Sequence, residues 1–241
     1  MRLLLLAAAC ALPILGCQAS EAPPRPAADR ATAEEPAVRA DINAAYLDPE
    51  LDVDRLARGF ASESREVFAA RDAVTAALGI ERGDVIVDLG AGTGIYAEPF
   101  SRAVGEQGTV IAVDIAENLL AHVRAIAAQE GLGNVRTVLG ETASTTLPAG
   151  SADLVFTSDV YHHFERPNAM NAHLFEVVRS GGAYAVLDFR RGEDAPDWIK
   201  AHVRSDMATV IEEVTRAGFV FGGEVAVTGL DENYLLVFRR P

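Results

Sequence analysis

Seven residues constrain this chain more than any others: Asp88-Leu89-Gly90-Ala91-Gly92-Thr93-Gly94. They follow the apolar run Val85-Ile86-Val87, whose length and β-branching read as a buried strand. They precede Ile95 to Val104, which can form a helix with Pro99 bending or shortening its start. Glycines let a backbone turn sharply and let a ligand come close. A strand-to-helix turn at the carboxyl edge of an open α/β sheet is where such folds bind ligands. A nicotinamide dinucleotide loop needs Gly-x-Gly-x-x-Gly, and counting from Gly90 the last position is Ile95, so a hydride-transfer reading is disfavoured. Asp88 would repel a diphosphate and tolerate a cation.

The rest of the chain alternates in the same way. Helical periodicity runs from Leu51 through Leu56, Phe60, Val67, Ala70 and Val74 to Leu78, with Gly79 as a stop. After the loop come a strand over Thr109–Val113 ending at Asp114, a helix over Glu117–Glu130 and a strand over Val135–Leu139. A strand over Asp153–Thr157, a helix over Asn168–Arg179 stopped by Gly181-Gly182, and a strand over Ala183–Phe189 follow. A helix over Ser205–Ala217 and strands over Phe219–Val227 and Tyr234–Phe238 close the chain. Alternating strands and helices imply right-handed crossovers and a parallel sheet. Only Thr228 to Asn233 separates the last two strands, too short for a crossover, so the last strand should run antiparallel. Asp114 stands 20 residues beyond Gly94. Its carboxylate can accept from both hydroxyls of a ribose, cap the next helix, or do both.

An acid followed by three alternating glycines resembles the signature loop of class I S-adenosylmethionine-dependent methyltransferases. Gly140-Glu141-Thr142 follows the third strand, where that family places an acid that accepts from the adenine amino group; Glu141 stands for the commoner Asp. Leu147-Pro148 and Ser151 to Val155 resemble the family's run into strand four, and Arg179-Ser180-Gly181-Gly182 its basic-x-Gly-Gly turn. Ser158-Asp159-Val160-Tyr161-His162-His163-Phe164 resembles its Tyr-His-His-Phe segment. The resemblance covers about Leu51 to Arg239. It implies the Rossmann-like class I methyltransferase fold, an α/β architecture with a seven-stranded, mostly parallel sheet, its last strand antiparallel and helices on both faces. It implies S-adenosylmethionine as cofactor, bound through Asp88, Gly90, Ala91, Gly92, Thr93, Gly94, Asp114, Ile115, Glu141, Thr142 and Ser158. It also implies transfer of a methyl group to a small or lipophilic acceptor.

The strand-four exit is then the catalytic edge, with Asp159, Tyr161, His162 and His163 as candidates. A sulfonium methyl is already activated, so the protein mainly supplies in-line positioning and desolvation. A base helps if the acceptor is a hydroxyl or an acidic carbon. His162 or His163 can be that base, or either can fix the loop by a hydrogen bond. No metal is expected: Asp159 and Asp188 fit a metal-assisted mechanism loosely, but no Asn follows Asp188. Phe60, Glu63 and Arg65 can form a lid, whereas Arg71 reads as a solvated charge. Trp198, His202 and Arg204 lie in a region that shapes acceptor specificity in such enzymes. A different class of function, a non-catalytic envelope protein using the fold as a ligand-binding module, stays open.

The N-terminus adds location. Met1-Arg2 and the apolar run Leu3 to Leu15 have the form of a signal peptide and are too short to span a bilayer. Ile14-Leu15-Gly16-Cys17 resembles the bacterial lipobox, with Cys17 as the lipidated residue of the mature protein. Gln18 after it favours the outer membrane slightly. The expected organisation is a signal peptide over 1–16, a lipidated tether over 17–40, a helical cap over 41–80 and a cofactor-binding domain over 81–241. The net charge of −14 argues against nucleic acid as a partner. Membrane contact is expected through the Cys17 anchor in a periplasm-facing lipoprotein, and the oligomeric state has no sequence signal.

Overall fold

The structure, a computed structural model, describes residues 37–39, 41–62 and 65–241. The expected signal peptide, Cys17 and nearly all of the tether lie outside the described residues, as does Glu63. Among the described residues no helix is long and apolar enough to cross a membrane.

The central strands are apolar on both faces, and this fixes the layering. In β1 (Val85–Leu89) Ile86 and Val87 are both fully buried yet join opposite clusters. Successive strand residues point to opposite faces, so a strand reading as one apolar run must be covered on both sides. One face packs on Val74 of α3 (Arg71–Ala77) and on Tyr96, Phe100 and Val104 in and around α4 (Ala97–Val104). On it Phe156 meets the rings of Tyr96 and Phe100 edge-on, at 4.7 and 5.2 Å between centroids. The other face packs on Leu174 and Val177 of α6 (Pro167–Val177) and on Val210 and Val214 of α8 (Met207–Arg216).

Four further strands, β2 (Thr109–Asp114), β3 (Val135–Leu139), β4 (Ala152–Ser158) and β5 (Val178–Phe189), run parallel to β1. With β6 (Val220–Glu224) and β7 (Asn233–Arg239) the order is β3-β2-β1-β4-β5-β7-β6. β7 pairs antiparallel with both β5 and β6, as the short final connection requires. The order reverses between β1 and β4, which opens a crevice at their carboxyl ends. α5 (Glu117–Glu130) joins β2 to β3 and ends at Gly131 in the left-handed conformation. Pro99 sits in the first turn of α4, where its missing N–H has no intrahelical partner to lose.

Two departures from the sequence expectation have a clear physical reason. The helical stretch after Leu51 is three pieces, α1 (Val53–Phe60), α2 (Glu66–Ala69) and α3. Tertiary hydrogen bonds hold the junction: Arg65 donates to Asp159, and the Glu66 carboxylate accepts from the backbone N–H groups of Asp231, Glu232 and Asn233. The helix expected to reach Arg179 ends at Val177, because Val178 enters the sheet opposite Ala152. The ladder resumes only at Ala183 opposite Leu154, so Arg179 to Gly182 form an irregularity in β5 rather than a turn before it. Sequence reasoning also missed the short helix α7 (Asp197–His202).

Phe156→Ala should cost about 3–5 kcal/mol through the cavity left among three packed rings. Urea unfolding followed by circular dichroism measures it; a loss below about 1 kcal/mol would show that this face repacks.

Candidate active site

The glycine loop leaves β1 at the crevice. Gly90, Gly92 and Gly94 have φ of +72°, +54° and +80°, which side chains with a Cβ rarely adopt. At Gly90 an added Cβ would also lie 2.5 Å from the Val160 methyls, so β4's exit and the loop touch through a missing side chain. Asp114 at the end of β2 holds the loop. Its carboxylate accepts from the Gly92 N–H at 2.9 Å and from the Ala116 N–H at 3.0 Å. Each oxygen keeps acceptor capacity for a ligand hydroxyl. Asp114 therefore braces the loop and the start of α5 together.

Asp88 lies beneath the loop, 3% exposed. Burial and the nearby Asp114 push its carboxyl up to about 7. Burial also raises Asp114, against the hydrogen bonds from Ala116 and Gly92. Two acids short of a countercharge favour a cationic ligand above them.

One cavity of about 840 Å³ runs along this edge. Of the residues expected from sequence, Gly90, Gly92, Asp114, Ile115, Glu141, Thr142, Asp159, His162 and His163 line it. Asp88, Ala91, Thr93, Gly94 and Ser158 do not, and the Thr93 hydroxyl is buried without a partner. Of the residues expected to form a lid, Phe60 comes within 3.6 Å of where a Gly92 Cβ would be, and Arg65 stacks on the Phe60 ring at 4.7 Å. Arg65 also bonds Asp159 at 2.5 Å. Asp159 has φ +53° and accepts from Asn233 Nδ2 at 2.7 Å. Burial and Asp188 push the Asp159 carboxyl up to about 6, against the pull of Arg65 and His162.

Much of the remaining lining of the cavity is apolar and aromatic, with Leu51, Leu56, Phe164, Met170, Phe189 and Trp198. Its polar wall is His162, His163 and His202. His162 is 2% exposed, and its Nδ1 lies 2.8 Å from Asp188 Oδ1. Burial opposes a charge on this ring, but the Asp188 carboxylate and its hydrogen bond outweigh it and raise the pKa. Burial and the neighbouring imidazoles push His163 down to about 3, so that ring is neutral. His202, at the end of α7, is lowered for the same reasons.

Tyr161 is a correction. It was expected at the catalytic edge but points into the core between α6 and α8, fully buried. Its hydroxyl donates to Glu213 Oε2 at 2.8 Å and accepts from Asn171 Nδ2 at 2.7 Å, while Arg204 pairs with the same Glu213. A single 3₁₀ turn, Tyr161–His163, sends consecutive side chains in different directions. Arg204, expected near the acceptor, belongs to this buried network instead. Asn43 and Tyr46 were missed altogether. Both line the cavity, and Asn43 Nδ2 donates to the His163 carbonyl and to Glu165. They lie in an irregular stretch with no periodicity to reveal them.

Residues 86–182 match the methyltransferase domain family. The chain is 33% identical over 119 residues to the ubiquinone/menaquinone biosynthesis C-methyltransferase UbiE of Serratia proteamaculans, covering 49% of this chain and 47% of that protein. It thus spans about half the length of the curated relatives it matches. Among solved structures, a SAM-dependent methyltransferase from Aquifex aeolicus has a TM-score of 0.68 at 21% identity, covering 80% of this chain and all of that one. Geranyl diphosphate C-methyltransferase from Streptomyces coelicolor A3(2), solved with Mg2+, geranyl diphosphate and S-adenosyl-L-homocysteine, has 0.61 at 15%, covering 82% of this chain and 89% of that one. The fold is therefore the Rossmann-like fold shared with SAM-dependent methyltransferases.

Tyr161→Phe tests the reassignment. It should destabilise the chain by about 1–3 kcal/mol, since it leaves Asn171 and Glu213 short of a partner, and leave cofactor affinity unchanged. Lost cofactor affinity in a folded variant, measured by calorimetry, would return Tyr161 to the site.

Proposed function

We propose that this chain is an S-adenosylmethionine-dependent methyltransferase acting on a small or lipophilic acceptor. The observation that carries the reading is the single cavity, which joins the Asp114-braced glycine loop to an apolar chamber walled by histidines. The residues present fit the cofactor. Asp114 offers acceptor oxygens to ribose hydroxyls, Glu141 can reach an adenine amino group, and the glycine loop has no side chains to obstruct close approach. The buried acids suit a ligand carrying ammonium and sulfonium charges. When bound, the cofactor supplies a methyl group already activated for transfer. The chain supplies position and an apolar wall: Phe60 and Arg65 lie over the loop, and Leu56, Phe164 and Phe189 line the same cavity.

The apolar chamber supports a lipophilic acceptor, and the name of the Serratia relative, which places it in ubiquinone and menaquinone biosynthesis, agrees with that. The lipobox at Cys17 supports a lipid-anchored protein of the bacterial cell envelope, held close to such acceptors.

Calorimetry should show binding of both S-adenosylmethionine and its demethylated product, and methyl-labelled cofactor should label a component of fractionated membranes. Failure of both ligands to bind overturns the proposal.

The pH dependence has a fixed sign. A cation bound above Asp88 favours its ionised form, while the free protein holds that proton below about 7. Affinity should rise with pH up to about 7 and then level off. Asp88→Asn should flatten the profile, and an unchanged profile in that variant would remove Asp88 as its source.

Anchoring has its own measurement. Cys17→Ala should release the protein from membranes after fractionation; unchanged membrane association would refute the lipobox.

A further inference from the structure

Sequence spacing brings two histidines together, and the fold adds a third. The ring centroids lie 4.4 Å apart for His162 and His163, 5.0 Å for His162 and His202, and 5.2 Å for His163 and His202. One nitrogen from each can be chosen so that all lie within 4.8 Å of one another. We propose that His162, His163 and His202 form a three-imidazole site for Zn2+ or a similar nitrogen-preferring divalent cation, with an open coordination position facing the acceptor chamber.

The hydrogen bonds around the rings fix which nitrogens are free. Asp188 accepts from the backbone N–H groups of His162 and Phe189, so its carboxylate is held in place beside His162 Nδ1. Nδ1 donates to it, which leaves the His162 Nε2 lone pair. Asn43 Nδ2 is committed to the His163 carbonyl and Glu165, so its Oδ1 is the atom facing His163 Nδ1 at 3.2 Å. That oxygen only accepts, so Nδ1 carries the proton and His163 Nε2 is free. A carboxylate or carbonyl oxygen on the far nitrogen is how proteins orient imidazoles that bind metal. Here two of the three rings have one.

The spacing is open rather than assembled. Metal–nitrogen bonds of 2.0–2.1 Å give about 3.3 Å between tetrahedral ligand atoms. His202 is the ring that can close the gap. It ends the short helix α7 and is partly exposed, while His162 is locked in the core. Facing charges divide: Asp188 and Asp159 favour a cation, while Arg204 and Arg39 oppose it. Imidazole ligands select Zn2+ and neighbouring transition ions over Mg2+ or Ca2+.

The inference rests on the methyltransferase reading only for what the open position does. A cation there would hold an acceptor hydroxyl or thiol as its anion, the proton leaving to solvent. The anion's lone pair then forms the bond to the methyl carbon, and the electron pair of the breaking carbon–sulfur bond returns to sulfur. Neither histidine need then act as base.

The test uses the full chain stripped with chelator and titrated with Zn2+ alone, with Co2+ as a visible probe. The expected result is one equivalent bound per chain and intense tetrahedral-type Co2+ absorption. Asp188→Asn should weaken Zn2+ binding about 10- to 100-fold, and His202→Ala at least as much. His202→Ala lies at a partly exposed helix end, so its metal-free melting temperature should match wild type, which separates lost ligation from lost folding. Absence of stoichiometric binding, or equal Zn2+ affinity in His202→Ala, overturns the site. Zn2+ binding without S-adenosylmethionine binding overturns the proposed function and leaves the site standing.

Discussion

The Asp159 carboxylate is the interaction on which this edge of the molecule depends. It sits at the exit of β4 in a left-handed backbone conformation that costs energy for a residue with a Cβ. Arg65 reaches it from the N-terminal segment and Asn233 from the start of β7. The knot therefore joins three distant parts of the chain at the crevice between β1 and β4. Next to it, Glu66 gathers the backbone N–H groups of the β6–β7 loop. A charge this buried is tolerable only while it is paired. Loss of Arg65 would leave Asn233 as the partner of this carboxylate, while Glu66 still ties the same segment to the β6–β7 loop.

The short turn after Asp159 divides the molecule's tasks. Tyr161 turns inward and ties α6 to α8 through Asn171 and Glu213. His162 and His163 turn toward the acceptor chamber, each with a partner on its Nδ1. The turn is consequently rigid from both sides. Rigidity matters for methyl transfer, because the reaction relies on alignment more than on covalent help from the protein. The same rigidity gives two fixed imidazoles against one that can move.

What the sequence made legible follows from range. The glycine loop, Asp114 and the strand directions rest on local patterns: an apolar run, a spacing of glycines, a connection too short for a helix. These survived almost unchanged. The break between α1 and α3 was not legible, since helical periodicity continues through it and the forces that interrupt it come from Asp159 and the β6–β7 loop. Asn43 and His202 were invisible as partners of His163 because each reaches it from far along the chain. Tyr161 was misplaced for another reason. A motif gives the position of a side chain along the chain but not its direction, and in a 3₁₀ turn neighbours diverge.

Four acids, the buried Asp88, Asp114 and Asp188 and the partly buried Asp159, end up around one crevice. Among the described residues only Arg65 and the His162 ring form ion pairs with any of them. Burial raises the pKa of Asp88, Asp114 and Asp159. The four acids therefore outnumber the cations paired with them, and an anionic ligand such as a diphosphate beside them would add to the imbalance. A sulfonium–ammonium cofactor at the Asp88–Asp114 end relieves it, and a divalent cation at the Asp188 end would relieve it again. Under the function and the site proposed above, the Asp88–Asp114 pair and the histidines braced by Asp188 would each face a positively charged ligand along the same cavity.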